Sequence, residues 1–179
     1  MPLPVRFAVI GLNHNHIYAQ TDLLLRAGAE VVSFFAEEAE LATECGQRYP
    51  QARLARSRRE ILEDPRLQLV VSAAIPSERG PLGVEVMRHG KDYMSDKPAV
   101  TTLAQLAEVR RVQAESRRIF SVCFSERFES AATVRAGELV KAGAIGRVFG
   151  VSWAIGGAAA AMLLFSAVSF RRYSEIARL

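Results

Sequence analysis

The chain has 179 residues, half of them are hydrophobic, and its formal net charge is +4. This length fits one hydrophobic core and is short for two full domains. The two cysteines, Cys45 and Cys123, have neither the spacing of a disulfide framework nor that of a metal motif. The N-terminus lacks the charged and apolar regions of a secretory signal, so we expect a cytoplasmic protein.

The positive charge is concentrated in short arginine clusters, for example at residues 56–59 and 110–118. No aromatic residues are interleaved with these arginines, as they usually are in proteins that bind single-stranded nucleic acid. We therefore interpret the clusters as solvated helix faces and expect no nucleic-acid partner.

Apolar runs of strand length alternate with helical patterns along the chain. In order, the pattern predicts a strand at 5–10, a helix after the following turn, a strand at 31–35, a helix reaching 49–50, a short helix from 57, a strand at 69–75, a helix at 81–89, a strand at 93–95, a helix at 102–118 and a strand at 119–124. This alternation implies parallel strands joined by right-handed crossovers. The predicted fold is a doubly wound α/β sheet.

Local signals support several of these elements. Ser57 and Glu60 have the spacing of a capping box at the start of a short helix. Gly90 is the kind of residue that closes a helix in a left-handed conformation. In the helix at 102–118, one apolar face is predicted to contain Leu103, Leu106, Val109 and Val112.

The stretch from Gly90 to Pro98 contains the first candidate for chemistry. Its short strand places Lys97 at the carboxyl end of a parallel sheet, where ligands bind in open α/β folds. Pro98 would hold the lysine backbone, and the sequence leaves open whether the bond before it is cis. Taken alone, Lys97 is better explained as a surface lysine, because most lysines are exposed.

The order of several motifs resembles one protein family. They are Val9-Ile10-Gly11-Leu12, Ala74-Ile75-Pro76, Gly90-Lys91 with Asp96-Lys97-Pro98, Phe124-Ser125-Glu126-Arg127-Phe128, and Gly143-Ala144-Ile145-Gly146-Arg147-Val148. Together they resemble the glucose-fructose oxidoreductase, inositol dehydrogenase and rhizopine-catabolism family, Gfo/Idh/MocA. The resemblance implies a Rossmann-type dinucleotide-binding domain at 1–124, a connecting helix and the start of a second domain at 125–150, and an atypical apolar tail at 151–179.

The same resemblance implies an NAD(P)-dependent oxidoreductase that transfers a hydride to or from a sugar, a cyclitol or a related hydroxy compound. Lys97 would be the catalytic residue, because a cation near the reacting oxygen stabilises developing negative charge. Asp96 stands where the family more commonly has glutamate, and Asp96, Lys97 and Pro98 are expected near the cofactor. Ile75 and Pro76 are expected beside it, and Arg127 is a candidate for substrate contact.

The phosphate-binding turn departs from the usual glycine pattern. Its three fingerprint positions are Gly11, Asn13 and His16, so only the first glycine is kept. We expect Gly11, Asn13 and His14 to contact the cofactor, and helix capping remains an alternative for His14. His16 is interpreted as a packing residue, and no metal site is expected because the two histidines lack a third ligand.

An acidic residue after the second strand normally binds the adenosine ribose, and Glu37 is the candidate here. With Glu38 beside it and no arginine in that turn, NAD is favoured over NADP. The alternative is that both glutamates stabilise the first turn of the next helix.

The chain beyond residue 148 departs from the family. Its three histidines, His14, His16 and His89, all lie in the first domain, so the histidine that the family uses as acid/base partner of the lysine is missing. Residues 148–170 lack charge, which fits a truncated or frame-shifted product and, as an alternative, a membrane anchor. We expect a homo-oligomer or a partner chain to cover this apolar tail. The alternative function is a non-catalytic nucleotide-binding or interaction module.

Overall fold

The computed structural model describes residues 4–124 and 131–143. Its elements in chain order are β1 (Arg6–Ile10), α1 (His16–Arg26), β2 (Glu30–Phe35), α2 (Ala39–Arg48), β3 (Arg53–Leu54), α3 (Arg58–Leu62), β4 (Leu69–Ser72), α4 (Pro76–Arg88), β5 (Asp92–Asp96), α5 (Leu103–Ser116), β6 (Phe120–Cys123) and α6 (Ala131–Lys141). The described residues fall into two units, divided between Ser125 and Glu126, and α6 belongs to the second.

The strands form one parallel sheet in the order β3-β2-β1-β4-β5-β6. The predicted doubly wound α/β fold is therefore confirmed, including the parallel direction of the predicted strands, and the short strand β3 is an addition to the prediction. Its chain crosses from β1 outward to β2 and β3, then returns to β4 on the other side of β1. This reversal leaves a crevice at the carboxyl ends of β1 and β4.

The core lies on both faces of the sheet, because the central strands are apolar on both sides. In β1, Phe7 and Val9 pack into a cluster with residues of α1 and α2 on one face. Ala8 and Ile10 pack into a second cluster on the other face, with residues of α3 and α4. Alternate side chains of a strand point to opposite faces, so one short strand contributes to both cores.

Helix α4 begins five residues before the predicted start. The sequence analysis treated Pro76 as the end of a strand and placed the helix at 81–89, whereas the helix runs over Pro76–Arg88 and β4 ends at Ser72. Proline is favourable in the first helical turn, because the N–H that it lacks has no helical partner there. The predicted start was wrong because Pro76 and Pro81 are each compatible with the first turn of a helix, and the sequence does not show which of them begins it.

Pro81 lies inside α4 and cannot donate to the carbonyl of Ser77, four residues earlier. A side chain from α5 supplies the missing donor, because Nε2 of Gln105 donates to the Ser77 carbonyl oxygen at 2.9 Å. The interior proline is thus accommodated by a tertiary hydrogen bond, which no local sequence rule indicates.

Thr102 caps helix α5, because its Oγ1 accepts from the backbone N–H of Gln105 at 3.1 Å. The helix itself begins at Leu103. Val109 and Val112 are buried as predicted, but Leu103 is 85% exposed. The predicted apolar face was therefore wrong at Leu103.

Helix α4 packs very closely on strand β5 at Gly83. A Cβ atom at this position would lie 2.6 Å from the Tyr93 ring and would also run into Cε2 of Phe120. Gly90 follows α4 with a φ of +73°, which confirms the predicted left-handed helix end. Within residues 4–124 and 131–143, no helix is long and apolar enough to cross a membrane. The predicted tail at 148–170 lies outside the described residues.

Candidate functional site

The floor of the crevice is formed where β1 and β4 end. Gly11 follows β1 with a φ of +81°, and its carbonyl accepts from the backbone N–H of Ala73 at 3.0 Å. A Cβ atom on Gly11 would lie 2.5 Å from Cβ of Ala74. The close packing of these two segments therefore requires glycine here, which is also the residue at the first position of the phosphate-binding fingerprint.

The turn after Gly11 is tied to the end of β2. Nδ2 of Asn13 donates to Oε1 of Glu38 at 2.9 Å, so the second fingerprint position acts through its side chain rather than as a flexible glycine. Nδ1 of His14 accepts from the backbone N–H of His16 at 3.3 Å. This bond is the capping role that the sequence analysis left open for His14, and it lies at the start of α1, where anions are favoured.

A first cavity of about 390 Å³ lies over the ends of β1, β2 and β4 and along α4. Its lining includes four predicted cofactor residues, which are Gly11, Asn13, Glu37 and Ile75. Arg58 also lines it, with a guanidinium nitrogen 4.0 Å from Oε1 of Glu37 and another 3.6 Å from Oε2 of Glu85.

The presence of Arg58 corrects one premise of the sequence analysis. No arginine occurs in the turn after β2, but the first residue of α3 brings one to the same end of the cavity. The glutamate side chain is 78% exposed and the arginine side chain 40% exposed, so both can meet a bound ribose. The sequence separation of the two residues hides this contact.

The next part of the site is organised by a buried carboxylate, Asp96, at the end of β5. Oδ2 of Asp96 lies 3.2 Å from a guanidinium nitrogen of Arg79, and Oδ1 lies 3.1 Å from Nδ1 of His16. Both Asp96 and Arg79 are only 2% exposed. A buried ion pair of this kind is tolerated because each charge also has hydrogen-bond partners.

Arg79 uses its remaining donors on the backbone. Nε donates to the carbonyl of Ala74 at 2.6 Å, and NH1 donates to the carbonyls of Lys97 at 2.5 Å and Pro98 at 3.3 Å. The guanidinium therefore holds the turn after β4 against the turn after β5. Arg79 thereby fixes the backbone on both sides of Lys97 and Pro98.

A second cavity of about 270 Å³ lies beside the first. The predicted residues on its lining are Asn13, His14, Ile75, Pro76, Asp96 and Lys97. His16 also lines it, so the packing role predicted for that residue is incomplete: its ring bridges from α1 to the Asp96 carboxylate. Asn13, Ala74 and Ile75 border both cavities, so the two spaces are neighbours at this edge of the sheet.

The remaining predicted residues have different positions. Pro98 follows Lys97 through a cis bond and contributes its carbonyl to Arg79, but it lines neither cavity. Arg127 lies outside the described residues. The expectation of no metal site assumed that the histidines have no third ligand, yet ligand atoms of His14, His16 and Asp96 lie within 4.8 Å of one another.

Residues 5–124 match the family model described as an oxidoreductase family with an NAD-binding Rossmann fold, Gfo/Idh/MocA. The chain belongs to the Gfo/Idh/MocA family. The resemblance inferred from the motifs is therefore confirmed, and with it an NAD(P)-binding oxidoreductase ancestry for this domain. No curated protein matches the chain.

Solved structures agree with this assignment. The chain is 39% identical to a proposed oxidoreductase from Erwinia carotovora atroseptica, with a TM-score of 0.77 over 81% of this chain and 44% of that one. It shares its fold with myo-inositol 2-dehydrogenase from Lactobacillus plantarum, at 18% identity and a TM-score of 0.69 over 80% and 43%. The same holds for the WlbA dehydrogenase from Bordetella pertussis, at 17% identity and a TM-score of 0.69 over 80% and 42%. The chain thus spans less than half the length of these structures.

Proposed function

We propose that this chain provides the dinucleotide-binding half of an NAD(P)-dependent oxidoreductase that acts on a sugar, a cyclitol or a related hydroxy compound. The observation that carries the proposal is the glycine turn at Gly11 on a cavity that shares lining residues with the cavity containing Lys97. When bound, the nicotinamide supplies the hydride acceptor or donor. The substrate class is supported by the neighbours named as a myo-inositol dehydrogenase and as a complex with NADH and a UDP-sugar.

The residues of the chain divide the work of binding between the two cavities. The turn at Gly11 and Asn13, with the N-terminus of α1, would hold the pyrophosphate, because backbone N–H groups and the helix dipole favour anions there. Glu37 would accept from the ribose hydroxyls at the far end of the first cavity. Ile75 is 49% exposed and would offer an apolar surface to the nicotinamide ring.

Lys97 would act on the reacting oxygen of the substrate. Its backbone is fixed by the Arg79 hydrogen bond to its carbonyl, and its side chain lies on the lining of the second cavity. A cation in that position stabilises the alkoxide character that develops as the hydride leaves. We expect Lys97→Met to bind the cofactor normally while losing turnover of any hydroxy compound that the full chain oxidises.

We further propose a preference for NAD over NADP. Glu37 and Glu38 place two carboxylates at the ribose end, against one guanidinium from Arg58. A 2′-phosphate would meet net negative charge there, whereas ribose hydroxyls would donate to Glu37. The preference is smaller than it would be without Arg58, since that guanidinium offsets part of the repulsion.

The test is a fluorescence titration of the full chain with NADH and with NADPH. We expect tighter binding of NADH, and we expect Glu37→Gln to weaken NADH by about 10-fold, as for loss of a hydrogen bond to a charged group. Arg58→Gln is the matched variant: it should weaken NADPH binding and change NADH binding much less than Glu37→Gln does. Tighter binding of NADPH would contradict the preference, and no binding of either at millimolar concentration would contradict the proposed function itself.

A further inference from the structure

The hydrogen bonds around Asp96 determine where the proton of the His16 ring lies. An Asp96 carboxylate paired with the Arg79 guanidinium can only accept, so Nδ1 of His16, at 3.1 Å from Oδ1, must be the donor. In the neutral ring the other nitrogen, Nε2, then carries a lone pair. Within the described part of the chain Nε2 makes no hydrogen bond, and the ring lies on the lining of the second cavity.

The neighbouring histidine is held in the opposite state. Nδ1 of His14 accepts from the backbone N–H of His16 at 3.3 Å, so its ring proton is on Nε2. The two rings meet edge to face, with centroids 4.2 Å apart. Of the two histidines on this cavity, only His16 therefore presents a bare nitrogen that is oriented by a buried carboxylate.

We propose that His16, held by Asp96, is the catalytic residue that exchanges a proton with the substrate oxygen beside Lys97. This inference rests on the proposed function. In the oxidative direction the substrate C–H bond breaks and its hydride goes to the oxidised dinucleotide, which gains the two electrons that the alcohol loses. The O–H bond breaks, its proton goes to Nε2 of His16, and a carbon–oxygen double bond forms.

The geometry suits each group to one part of that step. Asp96 is a positioning residue, because it orients the ring through Nδ1 and stabilises the imidazolium that forms after proton transfer. Arg79 keeps the carboxylate in place and fixes the Lys97 backbone at the same time. Lys97 can then stabilise the oxyanion while His16 takes the proton, so one cavity holds both functions.

The same side chains also form the His14, His16 and Asp96 cluster with ligand atoms within 4.8 Å. A divalent cation is disfavoured there because the Arg79 guanidinium already lies 3.2 Å from Oδ2 of Asp96 and Lys97 lines the same cavity. The guanidinium charge beside the carboxylate, and the lysine on the same cavity, raise the energy of a further cation there. We therefore assign the cluster to proton transfer and treat metal binding as the competing outcome.

Nitrogen-15 NMR of the full chain tests the assignment directly, because the protein has three histidines. In neutral rings we expect the proton on Nδ1 of His16 and on Nε2 of His14. His89 is the internal control, since its Nδ1 lies 2.9 Å from the Glu85 carbonyl and must donate. A proton on Nε2 of His16 in the unmodified protein would overturn the proposal.

Asp96→Asn provides a second readout. The amide oxygen would face Arg79, which needs an acceptor, so the amide N–H would donate to Nδ1 of His16 and move the ring proton to Nε2. We expect the His16 signals to exchange tautomer while those of His89 stay unchanged. If the variant fails to fold, the spectrum of the unmodified chain still decides the matter.

Access to the bare nitrogen is tested with diethyl pyrocarbonate, which acylates an unprotonated imidazole nitrogen. We expect acylation of His16, mapped by mass spectrometry, to be several-fold slower in Asp96→Asn and in the presence of NADH. A ring that is not acylated in the unmodified chain would contradict the proposal. Zinc chloride binding at one equivalent with micromolar affinity, lost in His14→Ala, would also overturn it in favour of a metal site.

These results separate the inference from the proposed function. The tautomer of His16 depends on Asp96 and requires no cofactor, whereas NADH binding depends on the first cavity. Binding of NADH with the wrong tautomer would refute the proton-transfer role alone. The expected tautomer without NADH binding would refute the proposed function, and with it the catalytic use of His16.

Discussion

Replacing Gly11 with alanine perturbs the site at the point where β1 and β4 come closest. The added Cβ would lie 2.5 Å from Cβ and 3.0 Å from Cα of Ala74, and 3.1 Å from Oγ of Ser72. Two of these neighbours are close to the backbone of the adjoining segment, so a rotamer change cannot remove the clash. The residue would also keep a left-handed φ of +81°.

The expected loss of stability has two parts. A non-glycine residue in the left-handed region costs about 1–2 kcal/mol. Forcing an extra methyl group into a well-packed site costs about 1–3 kcal/mol. We therefore expect Gly11→Ala to lower the free energy of unfolding by roughly 3 kcal/mol, and to weaken NADH binding because the floor of the crevice is raised.

Gly28→Ala is the matched control for this experiment. Gly28 has a φ of +87°, but a Cβ atom there would have no neighbour within 4 Å. The control carries the backbone penalty without the clash, so it should cost only about 1–2 kcal/mol and leave NADH binding unchanged. Urea unfolding followed by circular dichroism measures both variants under the same conditions.

The difference between the two variants isolates the steric term. We expect about 2 kcal/mol, which corresponds to a difference in Tm of roughly 8 °C for a domain of this size. If Gly11→Ala and Gly28→Ala lose the same free energy of unfolding to within about 0.5 kcal/mol, the close approach of β1 and β4 has no energetic role. That result would refute the reasoning about the crevice floor.

Three further perturbations test other parts of the fold. Gly83→Ala forces a methyl group against Tyr93 and should cost about 2–3 kcal/mol, whereas Gly46→Ala, with one ordinary contact at 3.5 Å, should be neutral or slightly stabilising in urea unfolding. The hydrogen bond from Arg66 lowers the pKa of Asp64 to about 2, so this stability is present above pH 3.8 and is lost as the pH falls towards 2. In Asp64→Asn, the free energy of unfolding should fall less steeply as the pH drops from 3.8 to 2, by a difference below about 1 kcal/mol because solvent screens the pair. An unchanged pH dependence in this range would contradict the prediction. Thr102→Ala removes the cap of α5 and should lower stability by about 1 kcal/mol, measured by Tm; no change would mean that the cap is not formed in solution.

Helix boundaries show where local sequence rules succeed and fail. The cap at Ser57 is formed as predicted, since Oγ accepts from the backbone N–H of Glu60 at 3.3 Å. The Glu60 carboxylate, however, accepts from the N–H of Arg56 rather than from the cap residue itself. At α4 the rules gave the wrong start, because the donor that compensates for Pro81 comes from Gln105 on another helix. Such a donor becomes visible only when the helices are packed.

The order of apolar runs and turns along this chain determined the strand directions, the doubly wound topology and the family. These follow from short-range physics, because buried parallel strands must be apolar and crossovers have one hand. The motif order also predicted that Gly11, Asn13 and Lys97 lie at one edge of the sheet, and the structure places them on the lining of two neighbouring cavities there.

Only the tertiary structure decided which side chains act together at that edge. Arg58 reaches Glu37 from a different crossover, and Asp96 joins His16 across 80 positions of sequence. These contacts depend on the packing of α1, α3 and α4 against the sheet rather than on any local pattern. The sequence therefore predicted the edge of the sheet at which the candidate site lies, whereas the pairing of the Asp96 carboxylate with the His16 imidazole became visible only in the folded chain.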